Sequence, residues 1–349
     1  MRSRARDALA ITAAIGKAAR RGILARSGTA LETLGRLRRG TLFFDKTGTL
    51  THGRMEVVSF RGPDWVKPLV EAAERDSTHP VGRALRQAFA DTDRRLEAES
   101  VEVVHGGGLL AVVGGRRVIV GSPKFVGERA LRDHTMEEHS DLWSRDAITP
   151  VWIAVDGRVV AMVGLEDRIQ SEAAECLRAL EERGFEIAIL SGDHPEVVRA
   201  VGRRLGVAED RCHGGLSPEQ KLEHVKSRSE GDVIMVGDGV NDAAALAAAK
   251  VGIAVHGGAE TCFAAADIFL QKPGVAPVVE LIDGARRTTA TIRTNIWVSL
   301  FYNAAGASMA IAGLLNPLIA AVLMPLSSLA VVTHSFRFRF GSNSVANPR

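Results

Sequence analysis

The segment Asp45-Lys46-Thr47-Gly48-Thr49-Leu50-Thr51 carries the strongest chemical signal in the sequence. It sets a carboxylate at the end of a short apolar stretch, Thr41–Phe44, and follows it with a glycine-bearing loop. A carboxylate so placed can attack a phosphoryl group while backbone amides of the loop hold the phosphoryl oxygens. Two residues beyond it stands Thr47 rather than a second aspartate. With no acid–base group there to activate water, an aspartyl phosphate on Asp45 lives long enough to be used.

A second segment, Gly237-Asp238-Gly239-Val240-Asn241-Asp242, supplies what the first lacks. Phosphoryl transfer needs a magnesium ion, and magnesium needs oxygen ligands, typically one or two carboxylates with waters and phosphate. Asp238 is the expected ligand, with Asp45 and the Thr47 backbone carbonyl. Asn241 can donate to a phosphate oxygen. Asp242 starts the following helix and reads either as a support to the Mg²⁺ site or as a helix N-cap. Ser191-Gly192-Asp193 adds a hydroxyl donor, and Lys221 a fixed cation, to offset the charge on the transferring oxygens. Alone, Lys221 would read as a solvated helix lysine. Its place in Leu216-Ser217-Pro218-Glu219-Gln220-Lys221 and the company of the other segments raise it.

These residues lie far apart in the chain, so a fold must gather them. Apolar stretches at Thr41–Phe44, Glu186–Leu190, Asp232–Val236 and Val251–Val255 read as strands. Helical stretches at Gln170–Arg183, Glu196–Leu205, Pro218–Arg228 and Asp242–Ala249 lie between them. The alternation predicts an α/β fold, a doubly wound parallel sheet whose ligands collect at the carboxyl ends of the strands. Asp45, Ser191 and Asp238 all fall at such ends. Between His52 and about Val163 the character changes. Helical stretches Trp65–Ala73 and Val81–Ala90 precede glycine-broken strands at Val101–Val104, Leu109–Val113, Arg116–Val120, Val151–Val155 and Arg158–Val163. Gly114-Gly115 and Asp156-Gly157 suit tight hairpins, and the block reads as an inserted α+β domain.

The C-terminal end differs again. Asn295–Leu315 and Pro317–Phe336 contain no charged residue, and each is about one membrane-crossing helix long. Arg286, Arg287 and Arg293 precede the first run; Arg337 and Arg339 follow the second. The pattern predicts a transmembrane hairpin with both basic ends on the cytoplasmic side. The opening Met1-Arg-Ser-Arg-Ala-Arg and the apolar stretch Ala8–Ala19 do not make a signal peptide. Asp7 and Lys17 interrupt it, and Arg20-Arg21 stand where a small-residue cleavage site belongs.

Composition narrows the classes. The net charge of +3 argues against a dedicated nucleic-acid binder, and 5% aromatic content against stacking platforms for single strands. Cys176, Cys212 and Cys262 are widely spaced, with no Cys-x-x-Cys pair. They suit reduced thiols in a cytosolic compartment.

Together these motifs resemble the P-type ATPases, over residues from about Ala8 to Arg339. The phosphorylation site of that family is similar to Asp45–Thr51, its hinge motif to Gly237–Asp242, and its phosphate-binding threonine motif to Ser191-Gly192-Asp193. Within the family, Glu74-Arg75-Asp76-Ser77-Thr78-His79-Pro80 resembles the nucleotide motif of the heavy-metal branch, in which Glu74 and His79 would meet the adenine. Gly106-Gly107-Gly108 and Gly121 resemble the glycines that let backbone approach ATP. Tyr302 and Asn303, with Met324 and Ser328, resemble the metal-binding positions of the copper-transporting branch. Met324 and Ser328 share one helix face, and a thioether suits Cu(I). The zinc and cadmium branch would show a lysine and an aspartate in these spans, and neither is present.

The sequence departs from the family in several places. Thr78 replaces a glutamate, Ala244 replaces the hinge proline, and Pro325 follows Met324. His334 stands where asparagine is usual, as a ligand or an interfacial residue. No Cys-Pro-Cys and no Thr-Gly-Glu actuator loop is found, so a missing N-terminal part of the same pump is an expected partner.

The resemblance implies a remnant of a membrane or stalk helix at 1–30 and a haloacid dehalogenase-like phosphorylation domain at 31–57 and 164–283. It places a nucleotide-binding domain at 58–163 and two transmembrane helices at 284–340. It implies Mg²⁺ and ATP as cofactors, membrane lipid and a heavy-metal ion, Cu(I), as partners, no nucleic acid, and a multi-pass membrane protein with its catalytic domains in the cytoplasm. A soluble phosphatase of the same superfamily and a non-transporting remnant associated with a full-length pump are the rival readings.

Overall fold

The computed structural model describes residues 2–90, 96–104, 106–131, 134–228, 231–238, 242–255 and 265–313. In chain order the first half contains α1 (Arg2–Ala19), β1 (Ile23–Ala25), α2 (Gly28–Arg36), β2 (Gly40–Asp45), β3 (Thr51–Arg61), α3 (Lys67–Ala73), α4 (Pro80–Ala88), β4 (Ala98–Val104), β5 (Gly108–Val113), β6 (Arg116–Gly121), α5 (Pro123–Gly127) and α6 (His134–Arg145). The second half contains β7 (Thr149–Val155), β8 (Arg158–Ile169), α7 (Ala173–Glu182), β9 (Phe185–Leu190), α8 (Pro195–Leu205), β10 (Cys212–His213), α9 (Pro218–Ser227), β11 (Val233–Gly237), α10 (Ala243–Ala248), β12 (Val251–Ala254), β13 (Ile268–Leu270) and α11 (Ala276–Ile311). The chain divides into two compact units, Met1–Asp45 with Glu172–Ile187 and Pro218–Arg349, and Lys46–Ser171 with Ala188–Ser217.

A seven-stranded sheet has the order β1-β13-β12-β11-β2-β9-β10. The four strands expected from the apolar stretches are β2, β9, β11 and β12. In the first unit β2 pairs parallel with β11, β11 with β12 and β12 with β13. The added edge strand β1 runs antiparallel to β13. Strands buried on both faces read as continuous apolar runs, and in β2 Leu42, Phe43 and Phe44 are all buried. Each such side chain contributes roughly 1.5–3 kcal/mol by leaving water.

Helix α11 packs along α1 and α2 within the same unit. It is anchored where Arg183 donates to both carboxylate oxygens of Asp283, at 2.7 and 2.8 Å. Arg286 donates to the carbonyls of Leu37 and Arg183 and lies over the Phe185 ring. Its C-terminal half exposes Trp297, Leu300, Phe301 and Ile311. Residues 295–311 of the first expected membrane span are thus helical, but they continue a helix whose earlier turns carry Arg286, Arg287 and Arg293. Among the described residues no helix is long and apolar enough to cross a membrane. The second expected span lies outside them.

The second unit is built on a six-stranded antiparallel sheet, β3-β8-β7-β6-β5-β4. On one face α3 and α4 close a core containing Val70, Leu85, Leu109, Ile153 and Val163. Phe125, Trp152 and Met162 form a second core, where Trp152 Nε1 donates to the buried Ser140 hydroxyl at 2.6 Å. The hairpin turns fall where glycine spacing put them. Gly114 and Gly115 have φ of 57° and 72°, and Asp156 and Gly157 have 50° and 82°, which matches the twist of the flanking strands. β3, α5, α6 and β10 are elements that the sequence pattern does not announce.

Candidate functional site

In the first unit, β2 ends on Asp45, which is 5% exposed. Lys221, on the first turns of α9, donates to Asp45 Oδ1 at 2.6 Å and to Asp242 Oδ1 at 2.7 Å. All three side chains are buried, so one ammonium is shared by two carboxylates. Burial, then the neighbouring charge of Asp242, raises the Asp45 carboxyl to about 7 against the opposing pull of Lys221; Asp238 adds a smaller push upward. Burial works against the charge on Lys221, yet the two carboxylates hold it above the usual lysine range. Lys221 is therefore a buried counter-ion and not a solvated helix lysine.

Asp242 occupies the N-cap position of α10, but its side chain makes no capping hydrogen bond. Asp242 thus stands at the N-cap without capping through its side chain, whose Oδ1 is engaged by Lys221. Its Oδ2 is buried and, among the described residues, has no hydrogen-bond partner. An orphaned, buried carboxylate oxygen beside Asp45 and Asp238 is an unmet demand for positive charge. Among the described residues no set of three His, Cys, Asp or Glu side chains gathers as a metal cage. Magnesium uses few protein ligands and fills its remaining positions with water and phosphate. The residues present fit the ion. Asn241 lies outside the described residues.

In the second unit the loop after Asp45 is pinned by contacts of its own. Thr47 has extended backbone angles and Gly48 a positive φ of 72°, which lets the chain double back. The Gly48 N–H donates to the Thr51 hydroxyl oxygen at 3.3 Å, and that hydroxyl donates to Asp167 Oδ2 at 2.6 Å. Gln170 closes the turn, its Nε2 donating to the Thr51 carbonyl and its backbone N–H to that of Leu50. Lys46 is 2% exposed and pairs with Asp193 at 2.6 Å. The Ser191 hydroxyl donates to the same Asp193 oxygen at 2.8 Å, while Gly192 lies near the Leu216 carbonyl. Lys46, Ser191 and Asp193 thus form one cluster.

Asp167 and Gln170 escaped the sequence reading. The one available signal was an acidic residue near the end of an otherwise apolar strand. Asp167→Ala should leave the Arg54 N–H without its acceptor and the Thr51 hydroxyl with only the Lys46 carbonyl, at 3.0 Å. We expect it to cost about 2 kcal/mol in urea unfolding, with Asp167→Asn retaining part of that.

The nucleotide-type residues form two groups within this unit. Glu74 is 5% exposed and bonded to Ser77, and burial raises its carboxyl above the ordinary value. A side chain at Gly82 would collide with both, a Cβ there falling 2.2 Å from Glu74 Oε2. His79 caps α4 by accepting from the Val81 N–H, and partial burial of its ring, then the Arg83 charge, lowers its pKa. In the other group Gly108 meets the Val120 carbonyl and Gly121, and Gly107 meets Phe125; Gly106 is open to solvent with φ of 76°. Tyr302 is half-buried and Asn303 exposed on α11. Met324, Ser328 and Cys262 lie outside the described residues. Cys176 and Cys212 are buried free thiols, raised by burial to about 11.

Residues 40–250 match the model of the haloacid dehalogenase-like hydrolases. The chain is 38% identical to a manganese-exporting P-type ATPase of Mycobacterium leprae over 340 residues, 94% of this chain and 46% of the relative. It is 35% identical to a probable copper-exporting P-type ATPase V of Mycobacterium tuberculosis, over 95% of this chain and 44% of the relative. It spans under half the length of both. Among solved structures, a zinc-transporting PIB-type ATPase in the E2.Pi state superposes with a TM-score of 0.75 at 30% identity, over 96% of this chain and 55% of that one.

Proposed function

The chain belongs to the haloacid dehalogenase-like hydrolase family, and we propose that within it the chain forms the phosphorylation and nucleotide-binding part of an ATP-driven heavy-metal export pump. The observation that carries the reading is Asp45, buried at a strand end against Lys221 with Asp238 and Asp242 beside it. Thr47 stands where a phosphatase would need a second aspartate. Asp45 is the nucleophile toward the γ-phosphate of ATP, and Lys221 holds its carboxylate in place. Asp45 and Asp238, with the Thr47 backbone carbonyl and with Asp242 in support, would hold Mg²⁺, which supplies charge neutralisation at the transferring phosphate. Glu74, His79, Gly106 and Gly108 are the proposed nucleotide contacts. Membrane attachment through residues 284–340, with the catalytic units in the cytoplasm, follows from the uncharged C-terminal runs and from the likeness to P-type ATPases. Incubated with Mg-ATP, the chain should acquire an acid-stable, hydroxylamine-labile phosphate. Steady turnover of small phosphate esters without such an intermediate would favour a phosphatase instead.

We infer Cu(I) as the cargo from the soft thioether of Met324 and the absence of charged residues in the two runs. The detergent-solubilised chain should retain Cu(I) in preference to Zn²⁺ and Mn²⁺ against a chromogenic chelator. Met324→Ala should weaken retention by about tenfold. The names of the relatives, manganese- and copper-exporting, make the competing outcome concrete: preferential retention of Mn²⁺ or Zn²⁺, untouched by Met324→Ala, would overturn the copper assignment.

A further inference from the structure

Helices α6 and α8, both in the second unit, pack so that their C-terminal turns meet. Each helix end presents unsatisfied carbonyls and the negative pole of its dipole, so two such ends side by side repel. Two consecutive arginines at the end of α8 answer that charge. Arg203 donates to the Arg145 carbonyl at 3.3 Å and to the Glu209 carboxylate at 2.8 Å. Arg204 donates to the Asp146 carbonyl at 2.7 Å and to the carboxylate of Glu166, on β8, at 2.9 Å. The backbone they hold is strained. Ala147, buried just beyond α6, has a φ of 60°, a left-handed conformation usually left to glycine. Its N–H donates to the Ser144 carbonyl, and the Ile148 N–H to the Trp143 carbonyl, which keeps the turn closed.

The pieces so joined play different parts in the unit. α6 belongs to the block that the chain enters along β3 and leaves along β8, two strands that pair antiparallel. Glu166 stands next to Asp167, which accepts from the Thr51 hydroxyl and so holds the Lys46–Thr51 loop. α8 begins just after Ser191-Gly192-Asp193, whose aspartate pairs with Lys46. We propose that Arg203 and Arg204 form an electrostatic latch that fixes the α6 end of the block against α8. Screening or removing their charge frees the block to swing about the paired strands β3 and β8. Both ion pairs are open to solvent, so each alone holds weakly and the latch yields to salt. The carbonyls of the α6 end make the two arginines act together. The latch is a property of the fold and does not depend on the reaction at Asp45.

The test is backbone hydrogen exchange of the full chain, compared at low and high salt. The Ala147 and Ile148 amides report the α6 end. The Gln170 N–H, which donates to the Leu50 carbonyl at 3.0 Å, reports the pivot and touches no charge of the latch. Amides of β7, in the core of the block, serve as the control. Raising the salt from roughly 0.01 to about 1 M shortens the screening length from about 30 to about 3 Å. Wild-type exchange should then rise about fivefold at Ala147, Ile148 and Gln170 together, with β7 unchanged. Arg203→Gln with Arg204→Gln keeps side-chain donors but not the charge. It should exchange at the fast rate already at low salt and respond no further. Lysine at both positions keeps the charge and should retain most of the salt response. A rise confined to Ala147 and Ile148 would reduce the arginines to a helix cap and overturn the latch. A rise shared by β7 marks general loosening and overturns it equally, as does wild-type exchange that ignores salt. The wild type carries the decisive comparison, so a double variant that fails to fold leaves the test standing.

Discussion

An Asp45→Asn chain incubated with radiolabelled Mg-ATP and quenched in acid is expected to carry no label above background, a loss on the order of a thousandfold or more. The amide is nearly isosteric with the carboxylate, so Lys221 keeps a neighbour and the buried site keeps its volume. What disappears is the nucleophilic oxygen. Burial and the Asp242 charge hold the Asp45 carboxyl at about 7. A bound cation favours the ionised form, so labelling by wild type should depend strictly on Mg²⁺. A chelator should abolish it as completely as the substitution does. If Asp45→Asn labels as well as wild type, the nucleophile is elsewhere.

Replacing Lys221 should have the largest effect on stability. Lys221→Ala removes the ammonium shared by Asp45 and Asp242 and leaves two buried carboxylates facing each other. Breaking such a pair costs about 3–5 kcal/mol. The cost should be greatest near pH 8, where both carboxylates would have to stay charged, and smaller near pH 5, where protonation relieves them. The sign follows from Asp45, whose folded value of about 7 lies above its ordinary 3.8. Its contribution is fully present below about 4 and is lost as pH rises through 7. Mg²⁺ should therefore raise the melting midpoint more at pH 8 than at pH 5. Double replacement, Lys221→Met with Asp242→Asn, should recover part of the loss, because it removes charge from both sides. A Lys221→Ala protein as stable as wild type at pH 8 would show that the triad is not a closed electrostatic unit.

Much of this site could be read from residue order because of how parallel sheets are built. A strand buried on both faces is a continuous apolar run, so Thr41–Phe44 and Asp232–Val236 announce themselves, and chemistry collects where they end. The contacts that hold the loop could not be read that way. Thr51 and Asp167 are separated by 116 residues, and nothing in local spacing pairs them. β3 is hard to read because its polar positions, His52, Arg54 and Glu56, interrupt any apolar run, while Met55 and Val57 are half-buried against the core. Lys46 and Asp193 belong to two separate motifs of the sequence, yet they engage each other. Pairing of opposite charges in a buried site is a tertiary choice that the order of residues does not disclose.

The most direct test is reductive trapping. Reduction of an acyl phosphate with tritiated borohydride converts the phosphorylated aspartate to homoserine and marks its peptide. After brief incubation of the chain with Mg-ATP, tritium is expected in the peptide containing residue 45, and in none when ATP or Mg²⁺ is omitted. Tritium at another carboxylate, or a stable phosphate ester on Ser191 with no trapped product, would contradict the assignment of Asp45 as phosphate acceptor.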